Sequence, residues 1–91
     1  MNPRVKAVRA NDDFTLAIRF ENGETRAFDM KPYLEHGIFS EMKDLSYFKA
    51  VRVATGTVHW PHGQDVCPDT LYEDGVPSKQ AIPDESFREA G

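Results

Sequence analysis

The stretch VHWPHGQDVCPDTLY, residues 58–72, groups several side chains that could do chemistry. Its fifteen positions hold two histidines, two aspartates, the only cysteine and the only tryptophan of the chain. Imidazole, thiolate and carboxylate groups bind zinc, and a carboxylate beside an imidazole is an arrangement used in proton transfer. The stretch therefore raises three hypotheses: a metal site, a proton-transfer site, or a tight turn that uses polar residues for structural reasons.

The strands predicted around this stretch place three polar side chains in one row. If Trp60 points inward and Pro61–Gly63 forms a three-residue loop, then Arg52 pairs with His59 and His59 pairs with Asp65. A cation, an imidazole and a carboxylate side by side could bind a small anion, a ligand or a partner, or transfer a proton. They could equally be an ordinary charged row on a solvated face. We favour the second interpretation, because no nucleophile sits at a defined spacing beside the row.

A metal site would need His59, His62 and Cys67 together. Their spacing, H-x2-H-x4-C, matches no standard zinc pattern, and a structural zinc requires four ligands. Cys67 stands directly before Pro68, where a small polar residue suits the entry to a helix. We therefore predict a turn with no metal, no cofactor and no catalytic residue.

A patch of basic residues is the feature that points to nucleic acid. Arg19 and Arg26 lie on neighbouring predicted strands, and with Arg4 and Lys6 they could share the outer face of the first sheet. Residues 1–72 carry nine Lys/Arg against ten Asp/Glu, so this part of the chain is near neutral. Because phosphate affinity grows with the number of phosphates neutralised, we expect such contact to be weak or indirect.

Alternating apolar residues predict the N-terminal strands. The alternation over 14–20 predicts a strand, and Val5–Ala10 a second one beside it. A three-residue loop, Glu21–Gly23 with Gly23 left-handed, pairs Leu16 with Phe28 and keeps the apolar residues on one face.

Short helices and a hairpin are expected next. Pro32 should begin a helical turn that Gly37 ends in a left-handed conformation, and Asp44 should cap a later one. Ile38, Phe39 and Met42 are spaced for a helical piece between them. For the following hairpin we prefer a four-residue loop, 54–57, because a two-residue turn would put β-branched Thr55 at positive φ.

These elements predict a single α+β domain with a small antiparallel sheet: N-terminal strands, short helices and a C-terminal hairpin. We assign residues 1–76 to this domain and residues 77–91 to an acidic, loop-rich tail, with one helical turn after Asp84. No apolar run is long enough to span a membrane, and the N-terminus lacks the apolar region of a secretory signal. A single cysteine fits a reducing compartment, so we expect a cytoplasmic protein.

The run from Phe28 to Tyr72 closely resembles a small bacterial family, the domain of unknown function DUF2442. The family pattern has a hairpin ending in "FD", then "PYL..G.F..L.D...F..V", then "V.W.NG.D..P..LY". The coverage is about residues 4–76, with His62 where asparagine is usual and Met42 where leucine is commoner. The matching positions are Phe28, Asp29, Pro32, Tyr33, Leu34, Gly37, Phe39, Asp44, Phe48, Val51, Trp60, Gly63, Asp65, Pro68, Leu71 and Tyr72.

The resemblance implies a compact α+β fold and no established activity. Some members look like sensor or adaptor domains attached to a helix-turn-helix, and others accompany a small partner reminiscent of toxin–antitoxin pairs. This chain has no room for a helix-turn-helix after Tyr72, so we expect no direct DNA-reading role. We expect a non-catalytic interaction module that binds a toxin-like or regulatory protein, with a homodimer through a sheet edge as a further option. The alternatives are a ligand-binding protein or enzyme using Arg52, His59 and Asp65, and weak nucleic-acid binding through Arg19 and Arg26.

Overall fold

Two antiparallel sheets and short helices make up the fold in the computed structural model, which describes residues 2–80. Strands β1 (Val5–Ala10), β2 (Thr15–Phe20), β3 (Thr25–Asp29) and β7 (Val76–Pro77) form one sheet in that order. Strands β4 (Arg52–Ala54), β5 (Thr57–His59) and β6 (Asp65–Val66) form the other. The helices are two 3-10 helices, Lys31–Tyr33 and Gly37–Lys43, and two α-helices, α1 (Leu45–Phe48) and α2 (Pro68–Asp74). The predicted α+β class is confirmed.

The register of the first hairpin is the predicted one. Leu16 pairs with Phe28, the Phe20 N–H donates to the Glu24 carbonyl at 2.8 Å, and Gly23 has φ +90°. Paired residues share a face of the sheet, so the apolar side chains of β2 and β3 collect on one side. They join a single buried cluster with residues of the second sheet and of the helices, among them Met42, Phe48 and Leu71.

The second sheet confirms that Trp60 points inward. Val58 pairs with Val66, and the Trp60 N–H donates to the Gln64 carbonyl at 2.9 Å across the loop that ends at Gly63. The Trp60 side chain is 1% exposed, and its indole N–H donates to the Phe48 carbonyl at 2.9 Å. The tryptophan therefore ties the second sheet to α1 by both packing and a hydrogen bond.

The turn between β4 and β5 differs from the prediction. Ala54 pairs directly with Thr57, and Thr55 and Gly56 have φ +51° and +79°, so this is a two-residue turn. The four-residue loop is wrong. The Thr55 hydroxyl donates to the Ala54 carbonyl at 2.7 Å, and the Gly56 carbonyl accepts the Val5 N–H at 2.9 Å. These contacts, one local and one to the other sheet, favour a conformation that a β-branched residue resists on its own.

Replacing Thr55 with asparagine is expected to raise the free energy of unfolding by about 1 kcal/mol. Asparagine tolerates a left-handed conformation, whereas a non-glycine residue held there usually costs 1 kcal/mol or more. Urea unfolding of the two proteins measures the difference. Thr55→Val, which keeps the branching and loses the hydroxyl, serves as the control and should be less stable than the parent. A Thr55→Asn variant no more stable than the parent would contradict the argument.

The helices between residues 31 and 48 begin near the predicted positions, but one predicted helix end is wrong. Pro32 lies in the first turn of the 3-10 helix Lys31–Tyr33, and the Asp44 carboxylate accepts the Ser46 N–H at 3.0 Å as the cap of α1. Gly37, predicted to end a helix in a left-handed conformation, is not among the residues with positive φ. It begins the second 3-10 helix instead. The first turn of that helix is closed by a hydrogen bond from the Phe39 N–H to the His36 carbonyl at 2.8 Å.

The end of the described chain is bound to the first sheet. β7 pairs with β3, and beyond it the Ser78 N–H donates to the Thr25 carbonyl at 2.9 Å. The amides of Asn11 and Gln80 exchange two hydrogen bonds, at 2.9 and 3.1 Å. Strand β7 was not predicted, and it spans the position chosen to divide residues 1–76 from the tail 77–91. The helical turn predicted after Asp84 lies outside the described residues.

Candidate functional site

The row of Arg52, His59 and Asp65 has the predicted cross-strand register. Arg52 pairs with His59, and His59 pairs with Asp65. The ring Nε2 of His59 lies 3.1 Å from the Thr55 hydroxyl, while the salt bridges found within residues 2–80 include none between members of the row. The three side chains are thus neighbours that are not joined to one another. Their role in binding a ligand or partner stays a prediction.

The side chains considered as metal ligands, His59, His62 and Cys67, have different surroundings. Within residues 2–80 no group of three or more His, Cys, Asp or Glu side chains could hold a metal ion. The ring Nδ1 of His62 lies 2.6 Å from a carboxylate oxygen of Glu41, while His59 contacts Thr55. Cys67 is exposed at the entry to α2, and its sulfur makes no capping hydrogen bond.

A network of four side chains, which the sequence did not reveal, joins the loop after β5 to the helices. One carboxylate oxygen of Glu41 contacts His62 at 2.6 Å, and the other accepts a hydrogen bond from the Gln64 amide at 2.9 Å. The Tyr47 hydroxyl donates to Gln64 Oε1 at 2.5 Å and accepts the His62 backbone N–H at 3.0 Å. The rings of Tyr47 and His62 lie 5.2 Å apart between centroids. Three separate segments, the 3-10 helix Gly37–Lys43, α1 and the loop, are therefore fixed together.

The network determines which nitrogen of the His62 imidazole donates a hydrogen bond within the protein. A carboxylate can only accept hydrogen bonds, so Nδ1 must be the donor in the contact with Glu41. In the neutral ring, Nε2 is then the nitrogen with the free lone pair. The His62 side chain is 64% exposed. The arrangement can orient an imidazole toward a bound molecule, and it lacks a free nucleophile, because the Tyr47 hydroxyl is already used as both donor and acceptor.

Arg19 and Arg26 do not share a face of the first sheet, and that expectation is wrong. Arg26 pairs with Ile18 and Arg19 pairs with Thr25, and successive residues of a strand point to opposite faces. Arg26 therefore lies on the side of the core. Its guanidinium stacks on the Tyr72 ring at 3.8 Å, donates to the Tyr72 carbonyl at 2.6 Å and pairs with Glu24 at 2.9 Å. The predicted contact of either arginine with nucleic acid stays a prediction.

Hydrogen bonds lower the pKa values of two exposed carboxyl groups, Asp13 and Glu24. Hydrogen bonding from Arg26, and next from Tyr72, lowers the pKa of Glu24 below its ordinary value. The Thr15 hydroxyl, which donates to the Asp13 carboxylate at 2.6 Å, lowers the pKa of Asp13. Both groups lie in turns that connect strands of the first sheet.

Glu24 should make a pH-dependent contribution to the free energy of unfolding. A carboxyl whose pKa is lower in the folded state contributes stability above its unfolded pKa and loses it as pH falls through the folded value. Glu24→Gln should therefore be less stable than the parent at neutral pH, and the two should converge in acid. Urea midpoints measured across that pH range test this. Glu21→Gln, which removes an exposed charge from the same loop, is the matched control. A Glu24 difference that persists undiminished in acid would contradict the prediction.

Comparison with protein families gives one match. The model of the family described as "Protein of unknown function (DUF2442)" matches residues 5–77. The chain belongs to this family. No curated protein and no solved structure matches it. None of the helices within residues 2–80 is both long and apolar enough to cross a membrane.

The DUF2442 match begins in β1 and ends in β7, so it includes every described strand and all four residues of the polar network. Of the four residues in the network, His62 is the one that the sequence analysis had already considered, as a possible metal ligand. Glu41 was not considered there. Its contact with His62 depends on how the 3-10 helix packs, which no local pattern encodes.

Proposed function

We propose that this protein is a non-catalytic interaction module of the bacterial cytoplasm that binds a partner protein, either a toxin-like product or a regulator. The observation that carries the proposal is Ile38. Its side chain is 69% exposed on the 3-10 helix Gly37–Lys43, whereas Phe39 and Met42 of the same helix are buried. Covering this exposed apolar side chain would remove apolar surface from water, which is the gain that a bound partner would provide at this residue.

The alternative functions have less support. A ligand site or enzyme using Arg52, His59 and Asp65 would need these groups to act together, and His59 is bound to Thr55 instead. Nucleic-acid binding through Arg19 and Arg26 would need both guanidinium groups on one surface, and the register puts them on opposite faces. Self-association through a sheet edge remains compatible with an interaction module, because the partner is then a second copy.

The test is binding to a defined protein, the product of the adjacent reading frame. We expect the purified full chain and that product to form a complex of fixed stoichiometry in size-exclusion chromatography with light scattering, and to give saturable heat in titration calorimetry. Two proteins that elute separately, with no heat of binding and no dimer of the chain, would overturn the proposal. Turnover of a substrate by the purified chain would overturn its non-catalytic part.

A further inference from the structure

The face of the first sheet that points away from the main core has a buried centre of its own. Ala17 is 0% exposed and Ala7 is 3% exposed, and these two form a cluster separate from the main one. Ala17 stands between Leu16 and Ile18, which belong to the main cluster, so it lies on the opposite face of β2. An alanine on that face is fully buried only if other groups lie over it.

The chain that follows β7 reaches across this face. Beside β3, the Ser78 N–H donates to the Thr25 carbonyl at 2.9 Å. Two residues later, the side-chain amides of Gln80 and Asn11 exchange two hydrogen bonds, at 2.9 and 3.1 Å. Asn11 follows β1, and β2 lies between β1 and β3 in the sheet. The segment and its glutamine side chain therefore extend over β2, and Ser78 and Gln80 are half-buried whereas Lys79 is exposed.

Asn11 is the fixed end of this contact. Its side-chain amide also donates to the Thr15 hydroxyl at 3.0 Å, and its backbone N–H donates to the Thr15 carbonyl at 2.9 Å. The turn after Asn11 contains Phe14, a bulky residue with φ +64°, which is a conformation that the surrounding structure has to support. The Phe14 ring packs on the ring of Phe48, at 5.3 Å between centroids. Asn11 is thus tied to the core through its own turn.

The other end of the contact depends on hydrogen bonds. Ser78, Lys79 and Gln80 have no apolar side chain to bury, and the bond from the Gln80 N–H to the Ser78 hydroxyl, at 3.1 Å, lies within the segment itself. Segments with few buried apolar contacts open at a low free energy. The amide pair of Asn11 and Gln80 therefore has a large share in how often this segment leaves the sheet.

We propose that residues 78–80 form a strap that opens and closes over the outer face of the first sheet, with the amide pair of Asn11 and Gln80 as its latch. The closed strap covers Ala17. When the strap opens, Ala17 and Ala27, which pair across β2 and β3, become accessible to solvent together. This inference is independent of the proposed function, because no partner takes part in it.

A cysteine at position 17 of the full chain reports whether the face is covered. Ala17→Cys is made in a Cys67→Ser background, because Cys67 is exposed and would itself react with a thiol reagent. Gln80→Ala, which removes both bonds of the latch, should speed labelling of the new cysteine about fivefold. Asn2→Ala is the matched control and should leave the rate unchanged, because it removes a different long-range hydrogen bond, from Asn2 to the Glu73 carboxylate at 2.8 Å.

Hydrogen exchange provides a second measurement in the chain that keeps Ala17. If residues 78–80 open as one unit, Gln80→Ala should also speed exchange of the Ser78 amide about fivefold, although the substitution does not touch the bond from Ser78 to Thr25. Circular dichroism melting curves that match the parent show that the faster reactions come from local opening.

Three outcomes would overturn the strap. Labelling of the cysteine at position 17 that is equally fast with and without Gln80→Ala would mean that the latch does not control access to this face. An equal acceleration by Asn2→Ala would mean that the effect is not specific to the latch. Ser78 exchange that is unchanged in Gln80→Ala would mean that residues 78–80 do not move as a unit.

Discussion

Trp60→Ala is expected to lower the free energy of unfolding by about 3–5 kcal/mol, the cost of removing a large buried aromatic side chain. Trp60 is 1% exposed, its ring lies 6.2 Å from that of Phe48 between centroids, and its indole N–H donates to the Phe48 carbonyl. Removing it leaves a cavity between the second sheet and α1, and a carbonyl without its donor. Urea unfolding followed by far-ultraviolet circular dichroism measures the loss, since Trp60 is the only tryptophan and its fluorescence disappears with it.

Trp60→Phe divides this effect into its two parts. Phenylalanine retains most of the apolar bulk and lacks the N–H, so this variant should lose only about 1–3 kcal/mol, the usual cost of an unsatisfied buried polar group plus a small packing defect. An alanine variant that unfolds at the parent's urea midpoint would show that Trp60 does not join the second sheet to α1.

Gly75→Ala is expected to destabilise the protein by about 1–3 kcal/mol, as other substitutions that overfill a packed site do. A Cβ atom at this position would lie 2.5 Å from the Leu71 carbonyl oxygen and 3.2 Å from the Arg26 Cβ atom. The first of these is backbone of α2, which Gly75 itself terminates, so relief requires the backbone at this helix end to change locally. Thermal or urea unfolding of the variant measures the cost.

Gly37→Ala is the matched control for this prediction. A Cβ atom there meets nothing within 4 Å, and Gly37 is not among the residues with positive φ. Alanine should therefore be neutral or stabilise by about 0.4–1 kcal/mol, because it restricts the unfolded chain. Equal destabilisation by both substitutions would mean that the close contacts of a Cβ atom with Leu71 and Arg26 are not what requires a glycine at position 75.

Hairpin register could be predicted from the sequence where two independent local signals agreed. The alternation around Leu16 and the left-handed Gly23 both required the three-residue loop, and the inward direction of Trp60 followed in the same way from Gly63. A shift by one residue would have turned every apolar side chain to the solvent. The arrangement of Arg52, His59 and Asp65 was predictable for the same reason, although register alone does not decide whether neighbours bond.

The parts that could not be predicted depend on contacts between distant segments. Thr55 takes a conformation that its own chemistry disfavours, and the next residue is bonded to Val5 in the other sheet. β7 has two residues, too few to show an alternation, and is defined by its pairing with β3. Glu41 and His62 meet because a 3-10 helix packs beside a loop. The error over Arg26 had a local cause: it alternates with Phe28, so the strand pattern itself placed it on the inner face.

The hydrogen bond from the Val5 N–H to the Gly56 carbonyl makes one amide a reporter of contact between the two sheets. The pairs β1–β2, β2–β3, β4–β5 and β5–β6 each join consecutive strands, whereas this bond forms only when the sheets meet. Native-state hydrogen exchange at Val5 therefore measures separation of the sheets, and exchange at Phe20, bonded to Glu24, measures opening of the first hairpin. If Val5 exchanges much faster than Phe20, the two sheets separate before the first hairpin opens.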